Sequence, residues 1–504
     1  MLIKKRFKWN SFYIWIIIVV LVTSFSITNV SYFNQKKIAQ SVILCFSSIL
    51  FVYFLYKTKL VGLNSRVWVG LTIILVFGTV SSTLAPLPQW AFLQVGWYLL
   101  IGQLLFLCSY LYQEDKEHYI RVVLIGLIAL CVLYLTRVYA DYITGLLNDN
   151  WTTWPEQNRI ELRKNGVLLN PSAYLGFNHV RFFNHIQTWT LPLLAFAYLY
   201  FKDRIIPGLQ YLLLFFISSW WMLVFAADAR GTMVASTLGL LTIVILFRKR
   251  CIPVAKVYLI TAAAGLVLYL SLFLLPQNGG REILSRFGDS GRLDVWWFTI
   301  EQIMKHPFLG LGPMHFSYMG INPPWSTPHN FILQTAAEWG IPAVILATVL
   351  VTAGLVKFIK QSLHLSENEM DPRWLMWRIA LIASITAALA HSMVSGIFNS
   401  SLSQLLFTII GGAIIGEYFL CSNRELFRER TRISYMTIII IGLLGINTVF
   451  VGYRVASDIP RLNERKKEFF EKFDTPFKLY PRFWHQGMIY EDTADLNKDE
   501  PQHN

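Results

Sequence analysis

The chain has 504 residues, 55% of them hydrophobic and 15% charged, with a formal net charge of +14 and a mean hydropathy of +0.47. A water-soluble chain of this size could not hide that much apolar surface, so a soluble globular enzyme is excluded and an all-α polytopic membrane protein is expected. The basic excess does not call for nucleic acid, because much of it sits in short loops between apolar runs.

In chain order, "MLIKKRFKW" precedes a long apolar run without a small-x-small cleavage site, which predicts an uncleaved first helix. Apolar runs then predict about 12–13 transmembrane helices, each long enough for roughly 30 Å of hydrocarbon. They fall near 12–31, 39–56, 67–85, 91–112, 119–143, 187–201, 206–226, 232–247, 254–275, 330–356, 375–397, 402–420 and 433–453. Lys57, Lys59 and Arg66, Lys202 and Arg204, "RKR" at 248–250, Lys357 and Lys360, and "RERTR" at 428–432 all come out on one side, predicted cytoplasmic.

Four segments follow from this pattern. Residues 1–275 hold nine spans, with an extracytoplasmic loop at about 144–186. Residues 276–328 form a large extracytoplasmic loop, 329–453 hold the last four spans, and 454–504 form a tail on the same outer side, periplasmic by the resemblance given below. The tail reads as charged and helical at "RLNERKKEFFEKF" and can either contact a protein or pack on the membrane surface. The five cysteines, Cys45, Cys108, Cys131, Cys251 and Cys421, are scattered through the spans without a CxxC pattern, so neither a disulfide nor a zinc site is expected.

Within the large loop, "DSGRLDVWWFTIEQIMKHP" at 289–307 predicts an amphipathic helix capped by Asp289 or Ser290 and ended at His306-Pro307. Leu293, Trp296, Trp297, Ile300, Ile303 and Met304 share one face; Asp294, Glu301, Gln302 and Lys305 share the other. Such a helix lies at a membrane surface, and Arg292 in its first turn either snorkels to water or points into a cavity. The Gly- and Pro-rich stretch that follows excludes long regular structure before His329. On the span expected from that residue, Asn330, Gln334 and Glu338 recur every fourth position, a polar stripe of roughly 12 Å that lines or braces an internal cavity.

Two more arginines lie on the side opposite the basic loops. Arg181 stands among aromatics in "GFNHVRFFNHIQTWTLPLL", and Arg230 follows Asp228 in the short turn "AADARGTMVAS". Three outer arginines, Arg181, Arg230 and Arg292, call for an anionic partner, and guanidinium forks match phosphate oxygens. Walker A, HExxH and GxSxG motifs are missing, and His179 and His185 are poorly spaced for zinc, so no ATP, metal or other cofactor is expected.

The tract "GRLDVWWFTIEQIMKHPFLGLGPMHF…STPHNFILQTAAEWGIPA" resembles the signature of the O-antigen ligase/O-antigen polymerase superfamily. "DARGTMVAS" resembles that family's S-R-G turn with Ala229 in place of Ser, and the matching tracts cover about 176–345. The resemblance implies a multi-pass inner-membrane transferase with its site facing the periplasm. It would move a glycan en bloc from undecaprenyl-diphosphate to a hydroxyl on lipid A-core lipopolysaccharide or a pilin-like protein, without metal or ATP. By the same resemblance, Arg181, Arg230 and Arg292 hold the diphosphate and His329 acts at the acceptor hydroxyl. Attack on the anomeric carbon opposite the lipid phosphate would invert the linkage. An O-antigen polymerase is the alternative, and a transporter with Glu338 and His391 as a proton relay is a more distant one.

Overall fold

The computed structural model describes residues 31–60, 63–147, 177, 180–274, 291–318, 326–367, 371–422, 426–429, 433–465, 467, 482–485 and 487–489. The expected first span at 12–31, the caps Asp289 and Ser290, His179 and most of the 144–186 loop lie outside them. The described chain is helical: α1 Tyr32–Lys57, α2 Ser65–Leu84, α3 Pro88–Glu114, α4 Lys116–Leu147, α5 Val180–Phe201, α6 Pro207–Ala226, α7 Arg230–Phe247, α8 Ile252–Tyr269, α9 Arg292–Lys305, α10 Phe331–Trp339, α11 Ile341–Glu367, α12 Pro372–Ser392, α13 Ser401–Cys421 and α14 Tyr435–Asp458. Ten stretches among the described residues are long and apolar enough to cross a membrane. One of them, Arg230–Phe273, contains both α7 and α8, which part at Arg248 with a left-handed φ of 48°. Helix α5 is long enough too, but Asn184, His185, Gln187 and Thr188 lower its hydropathy. The protein is thus an all-α, multi-pass membrane protein.

Besides a lone bridge between Tyr318 and Ile489, the extended pairing among the described residues is a three-residue antiparallel ladder, Thr58–Leu60 with Phe427–Glu429. That ladder joins two of the basic loops. Exposed apolar side chains such as Leu75, Leu241, Ile245 and Ile439 cover the outer helix faces, as lipid contact requires.

The chain divides into two compact units. The first comprises Met1–Thr28, Leu105–Gly288 and Val356–Glu425; the second comprises Asn29–Leu104, Asp289–Leu355 and Leu426–Asn504. In the first unit small residues let backbones approach, because lipid supplies no hydrophobic drive between helices. A Cβ on Gly239 of α7 would stand 2.6 Å from the Ala383 carbonyl of α12, and one on Gly265 of α8 would stand 2.5 Å from the Ser218 carbonyl of α6. A charged cluster also braces this unit. Glu417 of α13 takes an ion pair from Lys116 at 2.8 Å and from Arg378 at 3.2 Å, plus the Tyr112 hydroxyl at 2.6 Å. Arg378 and Glu417 are fully buried, and a charge in that setting persists only with partners.

In the second unit the expected single span at 330–356 is two helices. α10 ends at Trp339, Gly340 takes a φ of 85°, and α11 restarts with Pro342 in its first turn. Pro342 has no N–H to donate and suits a helix start, while its predecessors cannot continue α10 through it. Gln334 and Glu338 therefore stand on a short helix of nine residues before the long apolar one begins.

Candidate functional site

In the second unit, α9, the turn His315–Ser317, α10 and the start of α11 enclose a small core of Val295, Ile303, Phe316, Ala336, Ala337 and Val344. Arg292 is the first residue of α9, behind Gly291 in the left-handed region, and not behind an Asp or Ser cap. The buried face of α9 is Val295, Thr299, Gln302 and Ile303. This corrects the expected two-faced pattern: Gln302 faces inward, while Leu293, Trp297, Ile300 and Met304 remain exposed. An uncovered apolar stripe of this kind is what a helix at a membrane interface presents.

The loop after α9 explains its glycines. Leu311 N–H donates to the Ala337 carbonyl at 2.8 Å and Gly312 N–H to the Glu338 carbonyl at 3.1 Å, while Ile341 N–H donates to the Pro307 carbonyl at 2.8 Å. The loop thus caps the orphan carbonyls at the end of α10. A Cβ at Gly310, where φ is 67°, would come within 2.5 Å of the Glu338 backbone, so only glycine fits there. His315 sits at the centre of this loop. Its Nε2 accepts from Leu87 N–H at 3.0 Å and its Nδ1–H donates to the Pro313 carbonyl at 2.9 Å. Burial pushes His315 down to about 4, so it is neutral.

His329 is held differently. It is partly exposed and has a φ of 56°, a left-handed conformation uncommon for a residue with a side chain. Its N–H donates to the Thr327 Oγ1 at 3.2 Å, and that hydroxyl donates to Gln334 Oε1 at 3.0 Å. Trp296, one turn along α9 from Arg292, donates from its Nε1 to the Pro328 carbonyl at 2.9 Å. The helix that begins with Arg292 is therefore bonded to the residue before His329.

The polar stripe on α10 resolves into three structural tasks. Asn330 is the N-cap, accepting from Leu333 N–H at 3.0 Å. Gln334 ties down Thr327. Glu338 is fully buried against Arg482 of the C-terminal tail, whose Nη2 reaches its two oxygens at 2.6 and 2.5 Å. Burial raises the Glu338 carboxyl above its ordinary range, against the pull of Arg482. Glu338 also accepts from Phe316 N–H at 3.3 Å. Around Arg482 the tail is integral to this unit: Phe483 packs edge-on to Trp97 at 5.1 Å, and Ile489 N–H donates to the Ser317 carbonyl at 2.9 Å.

Arg181 and Arg230 belong to the first unit. Arg181 is exposed in the first turn of α5. Arg230 begins α7 after Asp228, itself left-handed with a φ of 47°, and grips the Asp228 carboxylate at 3.1 Å with its side chain 43% exposed. The two helix starts are bonded, Thr232 Oγ1 donating to the Asn184 carbonyl at 3.1 Å. Ala229 is the N-cap of α7 and makes no side-chain cap bond, so the Ser-to-Ala difference in the turn removes a hydroxyl where a cap would use one.

Thr327, Arg482 and the Arg378–Glu417 pair went unread in the sequence. The last carried a signal, ionisable residues inside the predicted spans 375–397 and 402–420. Thr327 and Arg482 carried none, since each matters through a partner found only in the fold.

Long apolar helices, an interfacial helix beginning with an arginine and a histidine held at the mouth of a short polar helix define a membrane-embedded protein with a polar site at its surface. Residues 212–348, about a quarter of the chain, match the family model described as O-antigen ligase. The match takes in Arg230, Arg292, His329, Asn330, Gln334 and Glu338; Arg181 and Arg482 lie outside it. No curated protein matches the chain significantly.

Proposed function

We propose that this protein transfers a glycan en bloc from undecaprenyl-diphosphate to a hydroxyl acceptor at the periplasmic face of the inner membrane, as an O-antigen ligase or protein O-oligosaccharyltransferase. One observation carries the reading: within a single unit, Trp296 bonds the helix beginning with Arg292 to Pro328, beside the left-handed His329. A neutral imidazole can take the proton of an acceptor hydroxyl as it attacks the anomeric carbon. The carbon–oxygen bond to the lipid diphosphate breaks, and guanidinium groups stabilise the charge that the departing diphosphate gains. Arg292 is assigned to that task, with Arg181 and Arg230 as further diphosphate-binding residues. The family match supports a glycan transferase of the ligase/polymerase type, and polymerisation of the growing glycan is the alternative.

The proton relay that a transporter would need loses its basis, since Glu338 is committed to Arg482 and stands outside the long spans. Mass spectrometry of lipopolysaccharide and pilin from a deletion strain tests the proposal. One of the two should lose its glycan, restored by the wild-type gene and not by an equally abundant Arg292→Ala variant. Unchanged glycosylation of both, or full restoration by the variant, sinks it.

A further inference from the structure

Helices α7 and α12 run closely together because one presents glycine and the other alanine. Ala383, Ala387 and His391 recur every fourth residue on α12, so they share a face. Gly239 meets the first two: its Cβ would be 2.6 Å from the Ala383 carbonyl and 3.2 Å from the Ala387 Cβ. Two turns towards the start of α7, the partner is Gly231, and the third member of the row is an imidazole where the first two are methyl groups. A Cβ on Gly231 would stand 2.7 Å from His391 Nε2 and 3.1 Å from its Cδ2, closer than real atoms pack.

The imidazole cannot easily swing clear. His391 Nδ1 is 2.7 Å from the Thr188 hydroxyl, which also lies 3.1 Å from Thr232 Oγ1 and from the Asn184 carbonyl. Its ring meets that of His185 edge-on at 5.2 Å, and His185 Nε2 is 2.7 Å from Ser395 Oγ. Thr188 and Thr232 are fully buried, His185 is 2% exposed and His391 4% exposed. A fixed, buried imidazole thus fills the space beside the second residue of α7, and the first residue of that helix is Arg230.

We infer that His391 is a positioning residue for Arg230. Its imidazole, seated on Gly231, sets the first turn of α7 and so the direction from which the arginine meets the donor diphosphate. The glycine of the Arg-Gly turn is then required for a packing reason: it makes room for a ring five helices further along the chain. The inference rests on the proposed role of Arg230 in donor binding.

A double-substitution cycle tests it, with purified protein and a polyprenyl-diphosphate-linked oligosaccharide as donor. Gly231→Ala and His391→Ala should each raise the donor KM severalfold with kcat nearly constant. Together they should cost no more than the worse of the two, a severalfold coupling, because the added methyl no longer meets a ring. If Gly231→Ala does not fold, recovery of folded protein in the double variant reports the same coupling. Losses that multiply, a fall in kcat at unchanged KM, or no recovery overturns the inference. Arg230→Ala separates the two ideas. If it leaves the donor KM unchanged, the donor-site reading fails; if it raises KM while the cycle shows no coupling, only the role of His391 fails.

Discussion

Two stretches between α9 and α10 each present a histidine, and they are built in opposite ways. Pro307–Tyr318 is locked: backbone N–H groups bond the end of α10, Glu338 and Arg482 brace it from below, and both nitrogens of His315 are bonded to backbone. Ser326–Asn330 hangs on side chains: the Thr327 hydroxyl, the Gln334 amide and the Trp296 indole hold a left-handed, partly exposed His329. The first stretch is scaffold and the second is the tip it supports. Two histidines in one loop are therefore held differently, one as a neutral pin and the other as the proposed proton acceptor. Substitutions in the scaffold should cost stability, and substitutions in the tip should cost activity.

The largest stability effect is expected at the brace. Arg482→Ala strands a buried carboxylate and should destabilise the protein by about 3–5 kcal/mol. Arg482→Ala combined with Glu338→Ala should cost less than Arg482→Ala alone. Denaturant melts of detergent-extracted protein measure both, and a stable single variant would show that the tail is dispensable.

The pin comes next. His315 is lowered to about 4 in the folded protein, while an unfolded histidine titrates near 6.5. The unfolded chain therefore binds more protons between those values, and stability should fall as pH drops from about 6.5 to about 4, by roughly 3 kcal/mol. His315→Gln keeps an acceptor for Leu87 N–H but does not titrate there. Its stability should depend less on pH than that of the wild type, and parallel pH profiles would remove His315 from the account.

In the tip, Thr327→Val deletes the hydroxyl between His329 and Gln334. Transfer should fall about tenfold to a hundredfold through misplacement of the histidine, with the melting temperature nearly unchanged. Thr327→Ser should restore it. Equal loss in both variants would mean that the hydroxyl does not set the histidine. Smallest of all, Ala229→Ser supplies the missing cap of α7 and should stabilise the protein by about 0.5–1 kcal/mol in the same melts. A neutral or negative change would show that the turn geometry rejects a cap.

Much of the helical frame was legible in the hydropathy. The expected spans 206–226, 232–247 and 402–420 correspond to Pro207–Ala226, Arg230–Phe247 and Ser401–Cys421. Apolar runs fix such helices because lipid leaves the backbone no other way to satisfy its polar groups. The break at Gly340 was missed because α10 is apolar enough to merge with α11 in any hydropathy window; "WGIP" was its signal. Arg292, His329 and the α10 stripe were readable as polar residues in unlikely places. That the stripe consists of a cap, a tie and an ion pair was not readable, since Thr327 and Arg482 become partners only on folding. The exposed stripe of α9 was half legible: periodicity gave an amphipathic helix, but a helix that packs on protein and lies at lipid buries a different face from one that does only the latter.

In the proposed reaction His329 takes the acceptor proton. The most direct measurement of that step is the rate of glycan transfer by purified His329→Ala in vesicles carrying a polyprenyl-diphosphate-linked oligosaccharide, with folding checked by its melt. The account predicts a fall of about 10²–10⁴-fold with wild-type stability. Transfer at the wild-type rate would contradict it.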